Sequence, residues 1–404
     1  MGNSILTIDM ITRKALEVLE NNLVLTRNVN RQYDDSFAVE GAKIGSTLRI
    51  RKPDRALVTD GAALQVQDDN EQYTTLTVSS QKHIGVNFTS AELTMQLDDF
   101  ADRVLKPRIS QLASSIDADL AAIAYKGLYQ SVGTPGTTPA TSLVLLQAQQ
   151  KLNESAALQN PRYATVNPAA NAGLVEGMKG LFNPTDTISK QFKSGMIGTG
   201  VLGFDEINMS QSISNHTTGV TPTAPIVATT VATQGQATLA ISFTSGSPTF
   251  KVGDVFTIAN VYSVNPQTRQ STGSLQQFVV TEDLDISSAT TGTLKISPPI
   301  YTATHALATV NAFPVATSGV LTFLGGSATG YAQNLIYHKD AITFATADLL
   351  LPQGVDMASR QSHNGISLRI VRQYDINNDR MPCRIDVLYG AGVIRPEMGV
   401  RLWG

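Results

Sequence analysis

Residues 331–346 read YAQNLIYHKDAITFAT, and two interpretations compete for them. His338, Lys339 and Asp340 stand side by side, which has the look of a proton-transfer set. The flanking apolar runs instead suggest a strand that ends in a turn. Neighbouring residues on a strand project to opposite faces, so the three side chains cannot converge on one substrate. Asp340 is therefore read as a turn or capping residue ahead of AITFA.

Composition narrows the class. The chain has 404 residues, enough for two or three domains with a sizeable core. Hydrophobic residues make up 42%, an ordinary share, but charged residues only 16%, against about 25% in typical domains. A surface so poor in charge fits a protein that covers much of itself with partners. A net charge of −3 argues against whole-chain electrostatic binding of nucleic acid. Cys383 is the single cysteine, so no internal disulfide framework exists, and a cytosolic setting at synthesis is expected. The N-terminal MGNSILTIDMITRKALEVLENN carries charges throughout and has no signal-peptide core. No apolar run approaches the roughly 18 residues of a membrane helix.

Periodicity then organises the chain. Ile8, Ile11, Ala15, Leu19 and Leu23 predict an amphipathic N-terminal helix over 8–23. It fits an arm docked on a partner as well as a helix packed on its own domain. Residues 43–88 read as a long β excursion with segregated charge. Lys43, Arg49, Arg51, Lys52 and Arg55 lie on the outgoing limb, while Asp60, Asp68, Asp69 and Glu71 cluster at the far end. These nine residues are candidate inter-subunit contacts, because opposed charges set register and specificity between copies. A solvated loop with unselected charge is the plainer alternative.

NFTSAEL starts a helix, with Thr89 and Glu92 as a capping box and Phe88 and Leu93 as a hydrophobic staple. A second start at Asp98–Asp99 leads into Leu105, Ile109, Leu112, Ile116, Leu120 and Ile123, one apolar stripe. A helix over 99–126 would be roughly 40 Å long, with Pro107 kinking or restarting its first turns. Residues 131–141 read as a loop, SLVLLQAQQKLNESAAL as a helix, RYATVN as a buried strand and PAANAGLVEGMKG as a further helix opened by Pro168. From 216 to 330 the chain turns rich in Thr, Val, Ser, Gly and Ala. ATLAISF, DVFTIANVY, QQFVVT and GTLKIS are four strand candidates, so this stretch reads as a small all-β barrel or sandwich inserted into the rest. SLRIVRQYD and CRIDVLYG predict an antiparallel hairpin near the end.

Constellations that carry chemistry fail on context. Gly198, Gly200 and Gly203 match G-x-G-x-x-G, but no acid lies near 220 to complete a dinucleotide site. Asp375, Asn377, Asp379 and Asp386 have calcium-loop spacing, but Arg380 replaces the required glycine and Pro382 interrupts. His83, His216, His305, His338 and His363 form no zinc pattern, and no G-x-S-x-G elbow occurs. No catalytic, cofactor or metal residue is expected.

At this point a resemblance enters. QNLIYHKDAITFATADLLLP, DVLYGAGVIRPEMGVRL, LGFDEINMSQSI and DDFADRVLKPRISQLASSIDADLA resemble segments of tailed-phage major capsid (coat) proteins, above all short-tailed enteric phage coat proteins with an inserted β-domain. The resemblance covers essentially the whole chain. It implies an α+β fold of the type named for phage Hong Kong 97. Its parts would be an N-terminal arm (1–42), an extended β loop (43–88) and a peripheral domain with a long spine helix (89–141). An axial α/β domain (142–215 and 331–404) would enclose an inserted all-β barrel-like domain (216–330). It further implies a homo-oligomer of hexamers and pentamers forming an icosahedral shell around double-stranded DNA, with a scaffolding protein and a portal as partners. No cofactor and no membrane are implied. The protein would reside in the virion, assembled in the host bacterial cytoplasm. The alternatives are a β-domain binding protein or adhesin, suggested by the Thr/Ser-rich insertion, and an enzyme built on His338–Asp340.

Overall fold

The computed structural model describes residues 8–32, 46–59, 61–62, 64, 66, 72–88, 105–178, 198–378 and 380–404. They form two compact units. One combines Met1–Ile50, Thr74–Leu120 and Thr343–Gly392; the other combines Arg51–Tyr73, Ala121–Ile342 and Val393–Gly404.

In the first unit the N-terminal helix spans Ile8–Asn22. Ala15, Leu16, Leu19 and the following Leu23 are each at most 3% exposed, so the apolar face is buried along the later turns, while Ile11 is half-buried. It packs on the strands Met357–His363 and Ile366–Arg372 of the same unit. The chain then turns through Thr26–Asn28, where its backbone is buried away from any ladder. Asp117, 2% exposed on the long helix, supplies the missing acceptors. Its carboxylate accepts from the N–H groups of Val24 (2.7 Å), Leu25 (3.3 Å) and Thr26 (3.0 Å) and from Thr26 Oγ1 (2.6 Å). Buried backbone donors need such partners. Asp117→Ala orphans three of them and is expected to lower unfolding free energy by about 2–3 kcal/mol, read from urea denaturation. A loss below about 0.5 kcal/mol would show that the turn is not held this way.

The long helix is described over Lys106–Gly127, beginning in the first unit and ending in the second. Pro107 is the second residue of that described span. Ile109, Leu112, Ile116 and Leu120 form the expected stripe, each at most 3% exposed. The expected start near 99 and the capping box at Thr89 and Glu92 lie outside the described residues. The unit's main sheet runs Ile342–Ala347, Met381–Val393, Ile366–Arg372, Met357–His363, and Ser80–Phe88 also pairs with Met381–Val393. Ile366–Arg372 and Met381–Val393 form the hairpin that the sequence predicts.

The second unit holds two β structures. A mixed six-stranded sheet has the order Gln130–Val132, Gly399–Leu402, Asn334–His338, Arg162–Val166, Phe204–Met209, Gly198–Val201. All five residues of Asn334–His338 are buried, with Leu335, Ile336 and Tyr337 as a short apolar run between the polar Asn334 and His338. The helices Ser142–Glu154 and Pro168–Met178 form as expected and bury Leu145, Ala148 and Leu152, and Ala170, Leu174 and Met178.

The strands Asn215–Thr217 and Gly330–Ala332 pair antiparallel, so the chain enters and leaves the next structure at one place. Between them lies a sheet ordered Leu321–Phe323, Val255–Val264, Ser271–Val280, Thr291–Ile300, Gln236–Ser242, Ile226–Val227. A bridge from Ile226 to Val320 joins its two edges, giving a nearly closed barrel. Its four long strands are the four that the sequence predicts. Thr291–Ile300 shows why: Leu294, Ile296 and Ile300 point inward while Thr293 and Lys295 point out. Leu239, Ile241, Phe256 and Phe278 fill the same core. Each such side chain contributes about 1.5–3 kcal/mol on burial.

Candidate functional site

The sequence offers His338–Asp340 as the strongest chemical candidate, and the geometry occupies it fully. His338 is 2% exposed and ends its strand. Its Nε2 donates to the Asn160 carbonyl at 3.2 Å, and its Nδ1 accepts the Asp340 N–H at 3.2 Å. Both ring nitrogens are thus engaged by backbone groups of the turn and its neighbour. Asp340 lies in the turn Lys339–Ala341 as expected, but the capping side chain is that of His338.

The glycine pattern has an equally structural cause. Gly198–Val201 and Phe204–Met209 pair antiparallel through a two-residue turn. Leu202 (φ 53°) and Gly203 (φ 77°) both adopt the left-handed region, the signature of a type I′ hairpin. No helix follows, so no phosphate cradle forms. Asp375 accepts from Asn377 N at 3.2 Å and from Arg380 Nε at 2.9 Å, which closes a hairpin loop and not a calcium loop. Asp379 lies outside the described residues. No cluster of three metal-ligating side chains occurs among the described residues. Cys383 is buried, and burial pushes its thiol up to about 11, far from a reactive thiolate.

A buried polar cluster joins the barrel to the mixed sheet. His216 Nε2 lies 2.8 Å from Asp254 Oδ1, and Asp254 Oδ2 accepts from the N–H groups of Gly219 (3.1 Å) and Lys251 (2.9 Å). Arg401, 1% exposed, donates through Nη1 to Gly253 O at 2.7 Å and lies over the Tyr125 ring. Burial pulls its guanidinium well below the usual arginine range. Ser131 N donates to Gln277 Oε1 at 2.7 Å, and Gln277 Nε2 donates back to Ser131 Oγ at 2.9 Å. The barrel is therefore seated by hydrogen bonds, each worth about 0.5–1.5 kcal/mol net, and not by an apolar seam alone.

The charged loop divides. Arg49 and Arg51 are exposed on the strand Ser46–Arg51. Lys52 and Arg55 turn inward toward Glu397, which takes Arg55 at 3.5 Å and Arg395 at 3.4 Å. Lys43, Asp60, Asp68, Asp69 and Glu71 lie outside the described residues, so the two charge groups are not brought together here. What charge counting missed is apolar: Val58, Leu64 and Val66 are 83%, 88% and 85% exposed on the same loop. The signal was present as ALV and ALQV between polar residues.

Comparison with known proteins bears on this arrangement. The family described as P22 coat protein, gene protein 5, matches residues 3–404. The chain belongs to the P22 coat protein family. It is a structural capsid protein, and its fold is mixed α/β with a nearly closed barrel. Its role is in a homo-oligomeric shell, as part of the virion. Solved structures similar to this coat-family chain include that of Mycobacterium phage Che8, at 12% identity and TM-score 0.47, covering 94% of this chain and 90% of that one. The capsid structure of cyanophage P-SCSP1u matches at 12% identity and TM-score 0.43 over 91% and 85%. The bacteriophage PhiM1 mature capsid matches at 12% and 0.40 over 90% and 84%. No curated protein matches the sequence. Among the described residues no helix is long and apolar enough to cross a membrane.

Proposed function

We propose that copies of this chain assemble as hexamers and pentamers into an icosahedral shell that encloses a double-stranded phage genome, without catalysing a reaction. The family match over residues 3–404 carries the reading. The occupied nitrogens of His338 and the hairpin role of Gly203 favour a purely structural chain. On this reading residues 1–42 are an arm and 43–88 an extended loop that reaches a neighbouring subunit. Residues 89–141 carry the spine helix, 142–215 and 331–404 the axial domain, and 216–330 the inserted domain. The pairing of Asn215–Thr217 with Gly330–Ala332 supports the last assignment. The exposed Val58, Leu64 and Val66 support the reach of the loop, because apolar side chains gain most when a partner covers them. A scaffolding protein and a portal would assist assembly in the host cytoplasm. The net charge of −3 implies only weak, non-specific contact with DNA.

Negative-stain electron microscopy of the protein, expressed with and without its neighbouring phage genes, tests this. Closed round shells are expected in at least the co-expressed sample. Monomers alone in both samples would sink the reading and turn attention to the barrel as a binding module.

A further inference from the structure

The helix Ser142–Glu154 buries one face through Leu145, Ala148 and Leu152 and leaves another open. Leu143, Leu146, Gln147, Gln150 and Asn153 recur at helical spacing, so they share one side, and all five are exposed. Leu143 is 59% exposed and Leu146 42%. No charge stands on this stripe. Glu154 borders it and accepts from Gln150 Nε2 at 2.7 Å. The face continues past the helix, where Leu158 is 53% exposed and Gln159 and Asn160 are exposed after it. Arg162, itself fully buried, builds this continuation. Its Nη2 donates to Asn153 Oδ1 and to Ala157 O, each at 2.8 Å, and its Nε donates to Leu158 O at 2.8 Å. One guanidinium thus holds the helix end and the following loop as a single preformed surface of leucines and amides. A preformed surface loses little freedom when a partner covers it.

The chain itself supplies a segment of matching chemistry. Residues 56–67 read ALVTDGAALQVQ, with Asp60 as the single charge. Val58, Leu64 and Val66 project from it almost bare. Residues 53–59 run outside any ladder, and amide side chains can both donate to and accept from such a backbone. Loop and helix face are exposed in the same subunit, so the loop does not cover its own helix. The exposed apolar side chains of the first unit suit this loop less. Leu350 stands beside Asp348, which pairs with Arg360, and Ile376 beside Asp375, which pairs with Arg380. An apolar loop laid there would strip water from charges and return nothing to them.

We infer that loop 56–67 of one copy lies on the leucine and amide face of Ser142–Glu154 and Leu158 of a neighbouring copy. The inference rests on the reading of this chain as a shell subunit, and it names the surface that the subunit's loop meets. Val58, Leu64 and Val66 cover Leu143, Leu146 and Leu158, while Gln147, Gln150 and Asn153 serve the loop backbone at the edge of the contact.

The test places thiols on both surfaces of the full-length chain, whose own Cys383 is buried. Maleimide should label Gln147→Cys roughly 10-fold more slowly in shells than in the monomer, because an interface core excludes water. Shells grown from a mixture of Gln147→Cys chains with Val58→Cys, Leu64→Cys or Val66→Cys chains are then treated with a flexible bis-maleimide. At least one mixture should give a covalent dimer on a denaturing gel that neither chain gives alone. Leu146→Asp should lower shell yield by about 10-fold, with the urea midpoint of the monomer unchanged. Equal labelling in shells and monomer, protection without a mixed dimer from any loop position, or normal yield from Leu146→Asp overturns the inference and leaves the shell reading in place. Protection that appears only while a scaffolding protein is retained assigns the face to that protein and also overturns it. If the unaltered chain forms no shell, alone or with its neighbouring phage genes, the shell reading falls and the inference falls with it.

Discussion

Asp386→Ala is expected to lower unfolding free energy by about 3–5 kcal/mol, the range for breaking a buried ion pair. Asp386 is fully buried on the strand Met381–Val393. Arg369 on the neighbouring strand donates to it twice, through Nε at 3.0 Å and Nη2 at 2.6 Å. Arg384 Nε donates at 3.0 Å and Gln81 Nε2 at 2.9 Å. One carboxylate therefore ties three strands of the first unit together, with a two-pronged arginine contact that fixes register as well as energy. Removing it strands the Arg369 guanidinium, whose side chain is only 16% exposed. The cost arises from that uncompensated charge more than from the lost attraction. The double change Arg369→Met with Asp386→Leu should therefore recover much of the loss, since apolar replacement of a whole buried pair is often neutral. Urea midpoints followed by circular dichroism measure both. A single-variant loss below about 1 kcal/mol, or a double variant no better than the single, would show that the cluster does not govern this sheet.

Local pattern made much of this fold legible. The stripe Ile109, Leu112, Ile116 and Leu120 announces its helix because helical spacing alone places those residues on one face. Leu294, Ile296 and Ile300 announce their strand by alternation. Other features carry a local signal that periodicity passes over. Asn364 (φ 48°) and Gly365 (φ 74°) form a type I′ turn between His363 and Ile366, and an Asn-Gly pair is a strong hairpin signal. Gly198, Gly200 and Gly203 give the opposite lesson, since one spacing suits both a phosphate loop and a tight hairpin and only the following element separates them. The polar contacts were illegible for a simpler reason. Asp117 meets Thr26 across 91 positions, Arg55 meets Glu397 from opposite ends of the chain, and Gln277 meets Ser131 across 146. No local pattern encodes such partners, and the candidate contact set was read from charge alone. It therefore grouped Arg55, which pairs with Glu397 within the subunit, and Lys52, half-buried near the same carboxylate, with Arg49 and Arg51, which lie on the surface.

That division determines how the loop should be tested. Arg49→Glu with Arg51→Glu is expected to reduce shell yield at least 10-fold while changing monomer stability by no more than about 0.5 kcal/mol. The two arginines alternate along Ser46–Arg51 with Ile50, which is 4% exposed, so they share the face opposite the buried one. Reversal there leaves the core contact of Ile50 intact. If this limb meets acidic groups of a neighbouring copy, two reversals turn attraction into like-charge repulsion, which costs several kcal/mol across an interface. A tenfold loss requires only about 1.4 kcal/mol of it. Lys52 and Arg55 are unsuitable for this test, because a carboxylate placed beside Glu397 would damage the subunit itself. Sedimentation of assembly reactions at equal protein concentration gives the yield, and urea denaturation of the monomer gives the control. Raised salt should weaken wild-type assembly in the same direction, since exposed charge pairs are screened over about 8–10 Å. Normal shells from a folded double variant would remove the loop's basic limb from the interface and leave the exposed Val58, Leu64 and Val66 as its contact surface.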